Sequence, residues 1–252
     1  MTGDLEATRE REIGGPGEEC RKAPAGADLG GPHAFHAAMT VLIDYGIGNL
    51  RSLEKSFAAA GVDVIRTDDP GAIAAASRLV LPGVGAFGAC AAELRRRGLA
   101  DLVRQRAEAG VPLLGVCVGM QLLFEASEEF GEHAGLGLLP GRVVRIGPGD
   151  SPRPLKVPHM GWNRLDAVRP HPLLGDVRPL PHLYFVHSYH AAPADPADVI
   201  ATVEYGRALP AVVGRGSVVG VQFHPEKSAR AGLAMLRRFA DWVPTTSPRP
   251  CC

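Results

Sequence analysis

The sequence predicts an α/β protein with a mostly parallel central sheet, flanked by helices and extended by antiparallel strands. In the first half of the chain, short continuous apolar runs alternate with helical patterns, as expected for parallel strands covered on both faces. The second half is rich in β-forming residues joined by short loops, which favours antiparallel strands. A length of 252 residues suits one such domain with additions. These features predict an open α/β sheet.

The first half contains four predicted strands, which cover residues 41–43, 62–65, 79–81 and 112–116. Between them, apolar residues recur at the spacing of one helix face. The first predicted helix carries Leu50, Leu53 and Phe57, the second carries Phe87, Leu94, Leu99 and Leu102, and a third covers 118–124. Asn49 is placed to cap the first of these helices.

The second half contains five predicted strands and a final helix. The strands cover residues 143–146, 183–186, 199–203, 211–213 and 218–223, and the helix covers 228–242 with Leu233, Leu236 and Phe239 on one face. Short connections between the strands favour antiparallel additions to the sheet.

The two ends of the chain differ from its centre. Residues 1–38 are rich in Gly, Pro, Ala and charge, and contain almost no large apolar residues. Such a segment cannot bury enough surface to offset the entropy lost on ordering. We therefore expect a disordered extension at 1–38, one folded domain at 39–243 and a disordered tail at 244–252.

Composition excludes several classes of function. The formal net charge is zero, which gives no electrostatic reason to expect nucleic acid or an anionic membrane as a partner. The five cysteines have the spacing of neither a disulfide framework nor a zinc site, so no metal or cofactor is predicted. No apolar stretch approaches the roughly 18 residues that span a membrane, and no signal peptide is recognisable. We expect a cytoplasmic protein.

The most specific local motif is at residues 115–119, which read Gly-Val-Cys-Val-Gly. A nucleophile with small residues two positions before and after it, between a strand and a helix, is typical of a nucleophile elbow. The elbow would project the Cys117 thiol at the carboxyl edge of the sheet and offer the Val118 N–H as an oxyanion donor. The alternative is a buried structural cysteine, since free cysteine packs as a small apolar residue.

A second motif at the end of a predicted strand reads His-Pro-Glu at residues 224–226. A general base needs one fixed tautomer, and a carboxylate on the far ring nitrogen provides it. His224 and Glu226 would then complete a triad with Cys117. The alternative, a surface histidine beside a solvated glutamate, would be preferred if the elbow were absent.

Two further segments carry weaker indications. Residues 82–88 are glycine-rich, which suits a second oxyanion donor, although an ordinary turn or a phosphate loop has similar composition. Residues 187–190 are polar and follow a strand, so they could bind a zwitterionic substrate or form a hydrated loop. His159 and Trp162 are expected, on their residue types alone, to be packing or surface residues.

Together these segments resemble the class I glutamine amidotransferases, whose glutaminase domains use a Cys-His-Glu triad. Residues 115–121 resemble their elbow, and Cys117, His224 and Glu226 match the triad residue by residue. The resemblance runs from about residue 39 to residue 242. It implies the flavodoxin-like fold of that family and hydrolysis of the glutamine side-chain amide through a cysteinyl thioester, with no cofactor.

Two segments narrow the resemblance within that family. Residues 44–50 read Asp-Tyr-Gly-Ile-Gly-Asn-Leu, and 158–163 read Pro-His-Met-Gly-Trp-Asn. Both are similar to the glutaminases of histidine biosynthesis, which form a heterodimer with a (β/α)8-barrel cyclase subunit and pass ammonia to it. The resemblance places Asn49, Trp162 and Lys227 towards that partner.

The resemblance also implies how the site is regulated. Such glutaminases are nearly silent until the partner binds its nucleotide substrate, and a flip of the Gly83–Val84 peptide is the natural switch because glycine makes it inexpensive. Val84 and Val118 would supply the oxyanion hole. Glutamine would contact Gly83, Gly85, Gln121, His187, Ser188 and Tyr189.

Three alternatives remain open on the sequence. The chain could be a glutaminase subunit of another amidotransferase, against which the segments 44–50 and 158–163 count. It could be a cysteine peptidase or esterase, which the narrow glycine-rich site and Gln121 disfavour. It could also be a binding module that regulates a partner without catalysis, which the complete triad disfavours.

Overall fold

A nine-stranded sheet crosses the centre of the computed structural model, which describes residues 39–147, 155–167, 169–175 and 180–244. The strands are β1 (Thr40–Ile43), β2 (Val64–Thr67), β3 (Arg78–Leu81), β4 (Leu113–Val116), β5 (Phe124–Ser127), β6 (His133–Ala134), β7 (Leu139–Arg145), β8 (His159–Ala167), β9 (His182–His187), β10 (Tyr189–Pro193), β11 (Val199–Glu204), β12 (Ala208–Arg215) and β13 (Val218–Val221). The helices are α1 (Leu50–Ala59), α2 (Pro70–Ala75), α3 (Phe87–Arg96), α4 (Leu99–Glu108), α5 (Val118–Gln121) and α6 (Ala229–Asp241).

The order of the central sheet is β2-β1-β3-β4-β13-β12-β11-β8-β9. Strands β2 to β13 in this order are parallel, and the remaining neighbours pair antiparallel. A smaller sheet, in the order β10-β7-β5-β6, lies beside it. The predicted α/β fold class is confirmed. One strand differs from the prediction: β13, expected among the antiparallel additions, pairs parallel with β4 and antiparallel only with β12.

The central strands are apolar on both faces because helices cover both faces. Every residue of β1, β4 and β13 is buried. Helix α1 packs against α6, and α2 and α3 both pack against α4. The carboxyl ends of β3, β4 and β13 therefore meet at one edge of the sheet, next to the segments that contain the glycine loop, Cys117 and His224.

The structure corrects several predicted boundaries. The single helix expected from Phe87 to Leu102 is two helices, because Gly98 adopts a left-handed conformation with φ of 69° and ends the first one. The helix expected at 118–124 is one turn, after which the chain enters β5. Strand β2 begins at Val64 rather than at residue 62.

The predicted capping role of Asn49 is also wrong. Its side chain makes no capping hydrogen bond to α1; its amide donates instead to Oε1 of Glu226, at 3.2 Å. The predicted extension at 1–38 and the tail beyond residue 244 lie outside the described residues. Within the described ranges, no helix is long and apolar enough to cross a membrane.

Helix α6 lies very close to the segment that carries His224. Gly232 is buried in the first turn of this helix, and a Cβ atom there would overlap the carbonyl oxygen of Pro225. The glycine thus permits the backbone contact that seats the short 3₁₀ turn Pro225–Lys227 against α6.

We expect Gly232→Ala to destabilise the protein by about 1–3 kcal/mol, because the added methyl group has no space. A loss of stability would be informative, because replacing glycine by alanine in a helix interior ordinarily stabilises the helix by about 1 kcal/mol. The control is Gly88→Ala in α3, where the nearest atoms to an added Cβ, at 2.8 Å, belong to the His133 side chain, which can move, and not to backbone. Urea unfolding of both variants is the measurement, and a Gly232→Ala variant as stable as the wild type would contradict the contact.

Candidate active site

Cys117 occupies a strained turn between β4 and α5. Its φ and ψ are 56° and −113°, a conformation that residues other than glycine rarely adopt. Its N–H donates to the carbonyl of Val221 at 2.8 Å, which ties the turn to the end of β13. A Cβ on Gly119 would overlap the carbonyl oxygen of Leu81, and one on Gly115 would lie 2.6 Å from the Gly119 oxygen. Glycine is required on both sides because the backbones leave no room for a side chain.

His224 is held by hydrogen bonds from several elements. Its N–H donates to the Tyr184 carbonyl at 2.9 Å, and its own carbonyl accepts the Ser228 hydroxyl at 2.7 Å. Its Nδ1 lies 2.8 Å from Oε1 of Glu226, and the same carboxylate oxygen accepts the Asn49 amide. The imidazole therefore has one fixed orientation, with its other nitrogen available to Cys117.

The charge state of this group follows from its contacts. Burial lowers the pKa of His224, but hydrogen bonds to Cys117 and Glu226 outweigh burial and raise it to about 9. Burial raises the pKa of Glu226, yet its hydrogen bonds with His224 and Asn49 bring it below its usual value. At neutral pH the site therefore contains an imidazolium–carboxylate pair beside a cysteine. An imidazolium is a suitable counterion for a thiolate, the nucleophilic form of cysteine.

The predicted oxyanion donor Val118 is already engaged. Its N–H donates to the Gly83 carbonyl at 3.3 Å. The carbonyl before it, that of Pro82, accepts the Tyr45 hydroxyl at 2.7 Å, and the carbonyl after it, that of Val84, accepts the Cys90 thiol at 3.3 Å. For the Val118 N–H to face a substrate oxyanion, the Gly83 carbonyl has to turn away.

A cavity of about 350 Å³ opens at this edge of the sheet. It brings together most of the residues singled out from the sequence: Val84, Gly85, Cys117, Val118, Gln121, His187, Ser188, Tyr189, His224 and Lys227. Gly83 lies just behind it, where a Cβ would be 2.5 Å from the Gly119 nitrogen. Glu226 and Asn49 stand behind His224 rather than in the cavity.

Two residues of the site had no assigned role in the sequence. Glu129 lines the cavity, and its Oε2 accepts the N–H of Phe87 at 2.6 Å. Gln222 is fully buried, with its amide nitrogen 3.9 Å from the Cys117 sulfur and its oxygen accepting the Gln121 amide at 3.1 Å. The sequence contained a sign that Gln222 belongs to the site, because it is a polar residue in the apolar strand before His224. It contained no such sign for Glu129, which is one of two adjacent glutamates.

The residues expected to face a partner occupy different surroundings. Trp162 is 53 % exposed and packs edge-on to Tyr184, with ring centroids 6.1 Å apart. The Lys227 ammonium lies 5.7 Å from the centre of the same Tyr184 ring. Asn49 is half-buried against Glu226. His159, expected to be a packing or surface residue, is buried and bonded to His187.

Comparison with known families decides the affiliation. The family model described as "Glutamine amidotransferase class-I" matches residues 41–242. The chain belongs to this family. The resemblance inferred from the elbow and the His-Pro-Glu segment is thereby confirmed, and the enzyme class it implies is that of a glutamine amidotransferase.

Within the class I glutamine amidotransferases, similar relatives are named "Imidazole glycerol phosphate synthase subunit HisH". The relative from Salinibacter ruber is 58 % identical over 210 residues, which cover 82 % of this chain and 96 % of the relative. The relative from Syntrophotalea carbinolica is 50 % identical over 206 residues, which cover 81 % of this chain and 100 % of the relative. The closer resemblance to the glutaminases of histidine biosynthesis agrees with these names.

Solved structures support the same fold. One described as "Crystal structure of glutamine amidotransferase" aligns with a TM-score of 0.62 at 23 % identity, covering 80 % of this chain and 97 % of that chain. The structure of PurLQS from Thermotoga maritima also gives a TM-score of 0.62, at 19 % identity over 81 % and 97 %. At these identities the likeness concerns the fold alone.

We expect Glu226→Gln to lower the pKa of His224, because burial then acts without a carboxylate partner. In the wild type the pKa of His224 is raised from 6.5 to about 9, so protonated His224 stabilises the folded state. This contribution to the free energy of unfolding is fully present below pH 6.5 and is lost as the pH rises through 9. NMR titration of the His224 ring is the measurement, with the exposed Glu204→Gln as the control. An unchanged pKa in Glu226→Gln would show that the carboxylate does not set the charge of His224.

Proposed function

We propose that this chain is the glutaminase subunit of an imidazole glycerol phosphate synthase. It hydrolyses glutamine to glutamate and ammonia in the cytoplasm and passes the ammonia to a cyclase subunit, which makes imidazole glycerol phosphate and AICAR for histidine biosynthesis. The observation that carries the proposal is that Cys117 and His224 line one cavity, while Glu226 is hydrogen-bonded to His224 from behind. The choice of histidine biosynthesis rests on the named relatives, which are 50–58 % identical to this chain over 96–100 % of their own length.

In the proposed mechanism, the Cys117 sulfur attacks the side-chain carbonyl carbon of glutamine, and the carbonyl oxygen becomes an oxyanion. The C–N bond then breaks as His224 donates its proton to the leaving nitrogen, so that ammonia and a glutamyl thioester form. Neutral His224 next takes a proton from water, which attacks the thioester and releases glutamate. Glu226 keeps the imidazole in place throughout, and its buried carboxylate balances the charge of the imidazolium.

Glutamine is a zwitterion at its α-carbon, and the cavity offers matching groups. The Glu129 carboxylate lines the cavity and can accept hydrogen bonds from the α-ammonium group of glutamine. Such charge-assisted hydrogen bonds are stronger than those between neutral groups. Ser188 and Tyr189 line the side of the cavity formed after β9. Gln121 donates its amide to the Tyr189 carbonyl at 3.1 Å, so we assign it to shaping this wall.

The engaged Val118 N–H supports regulation by the partner. With the Gly83 carbonyl in its present position, the oxyanion hole lacks this donor. Apolar side chains near the cavity are exposed, with Val84 at 36 %, Met160 at 62 % and Trp162 at 53 %. In this proposal the cyclase, a (β/α)8 barrel, covers that surface and its binding turns the Gly83–Val84 peptide.

We expect Cys117→Ala to abolish glutamine-dependent synthesis in the complex with the cyclase, because no other group replaces the sulfur nucleophile. Synthesis driven by added ammonium should remain, since the cyclase then needs no glutaminase. Product formation with each nitrogen source is the measurement, and Cys20→Ala is the matched control. Glutamate release by Cys117→Ala would overturn the assignment of the nucleophile.

We expect Glu129→Gln to raise the KM for glutamine about 10- to 100-fold, since a hydrogen bond to a charged group contributes about 1.5–3 kcal/mol. The substituted amide oxygen still accepts the Phe87 N–H, so α3 keeps its contact. Steady-state glutamate release in the presence of the cyclase is the measurement. Glu128→Gln is the matched control, and an equal KM in both variants would remove Glu129 from the binding site.

A further inference from the structure

A line of hydrogen bonds connects strand β8 to the wall of the cavity. The Asn163 amide nitrogen lies 3.4 Å from Nε2 of His159. Nδ1 of His159 lies 2.9 Å from Nε2 of His187, and Nδ1 of His187 lies 2.9 Å from the Tyr189 carbonyl oxygen. The two imidazoles therefore stand between a side-chain amide and a backbone carbonyl.

The two ends of this line fix the position of every proton in it. The Tyr189 carbonyl can only accept, so Nδ1 of His187 carries the hydrogen and its Nε2 is an acceptor. Nδ1 of His159 must then donate to His187, which leaves its own Nε2 to accept from Asn163. The Asn163 amide cannot be reversed, because its oxygen accepts the Arg164 N–H at 2.8 Å and its nitrogen donates to the Glu204 carbonyl at 2.8 Å.

Both imidazoles are neutral in this arrangement. A proton added to Nε2 of His187 would face the Nδ1–H of His159, and one added to Nε2 of His159 would face the Asn163 amide N–H, so that two donors would meet in either case. Burial lowers the pKa of His187 to about 3 and that of His159 to about 4, which agrees with the neutral forms. The ring of His159 is also fixed by stacking, with centroids 4.9 Å from Phe185 and 4.1 Å from Tyr205.

This line leaves His187 with no free nitrogen for a substrate. The Tyr189 carbonyl oxygen accepts two hydrogen bonds, one from Nδ1 of His187 and one from the Gln121 amide. The carbonyl is thus held from two sides at the point where Ser188 and Tyr189 line the cavity. The other end of the line lies on β8, the strand that exposes Trp162.

We propose that His159 and His187 are positioning residues for glutamine hydrolysis: their one-directional, neutral hydrogen-bond chain holds the Ser188–Tyr189 segment in the geometry that binds glutamine and ties it to β8. The inference rests on the proposed function for its substrate. His187 accordingly contributes to substrate binding through Tyr189 rather than by direct contact.

The kinetic test compares His159→Leu with His159→Asn in the complex with the cyclase. An asparagine amide nitrogen falls near the position of Nδ1 and can still donate to His187, whereas leucine cannot. We expect the KM for glutamine to rise about tenfold in His159→Leu, as for a lost buried hydrogen bond, with kcat changed less than about twofold. His159→Asn should restore most of the KM. An unchanged KM in a folded His159→Leu variant, or equal impairment of both variants, would overturn the proposal.

The chain itself is tested by ¹⁵N NMR of the histidine rings in the wild-type protein at neutral pH, which needs no variant to fold. We expect both His159 and His187 to carry hydrogen on Nδ1 and none on Nε2. Hydrogen on Nε2 of either ring, or a charged ring, would contradict the proposal. Because this measurement does not depend on glutamine turnover, it separates failure of the chain from failure of the proposed function.

Discussion

The close approach of backbone segments around Cys117 is the constraint on which the rest of the site depends. The elbow folds back over the ends of β3 and β4, so closely that glycine is needed at Gly83, Gly115 and Gly119. The same closeness puts the Val118 N–H against the Gly83 carbonyl. One packing requirement thus sets both the strained conformation of Cys117, the proposed nucleophile, and the position of the Val118 N–H, the proposed oxyanion donor. A larger residue at any of these glycines would disturb both features, because they share the same atoms.

The position of His224, the proposed general base, depends on Tyr184. The carbonyl of Tyr184 accepts the His224 N–H, and its N–H donates to the Ser228 hydroxyl, which in turn bonds the His224 carbonyl. The Tyr184 ring contacts both the exposed Trp162 and the Lys227 ammonium. The backbone that holds the base is therefore continuous with the surface that we assign to the partner. A partner that shifts the Tyr184 backbone would act on His224 through the Tyr184 carbonyl and the Ser228 hydroxyl.

The sequence was sufficient to locate candidate groups that are close together along the chain, but not contacts between residues that are far apart in it. The elbow and the His-Pro-Glu segment each place their functional groups within five residues, and the apolar strands beside them predict one sheet edge. Asn49 looked like a helix cap because only its neighbours in sequence were visible, yet its partner is Glu226. Glu129 and the pairing of His159 with His187 depend on contacts across 42 and 28 residues, which no local pattern encodes.

The state of the two halves of the site indicates which step the partner controls in the proposed mechanism. The nucleophile half is assembled in the isolated chain, since His224 is paired with Glu226 and has a pKa of about 9. The oxyanion half is not, since the Val118 N–H is bonded to Gly83. Removal of one oxyanion donor typically costs about 10²–10³ in kcat, or roughly 2.7–4 kcal/mol. Rotation of a single peptide between two glycine-permitted orientations is therefore enough to account for a large activation. Regulation at this peptide requires no change in the buried His224–Glu226 pair, whose side chains are 4 % and 2 % exposed.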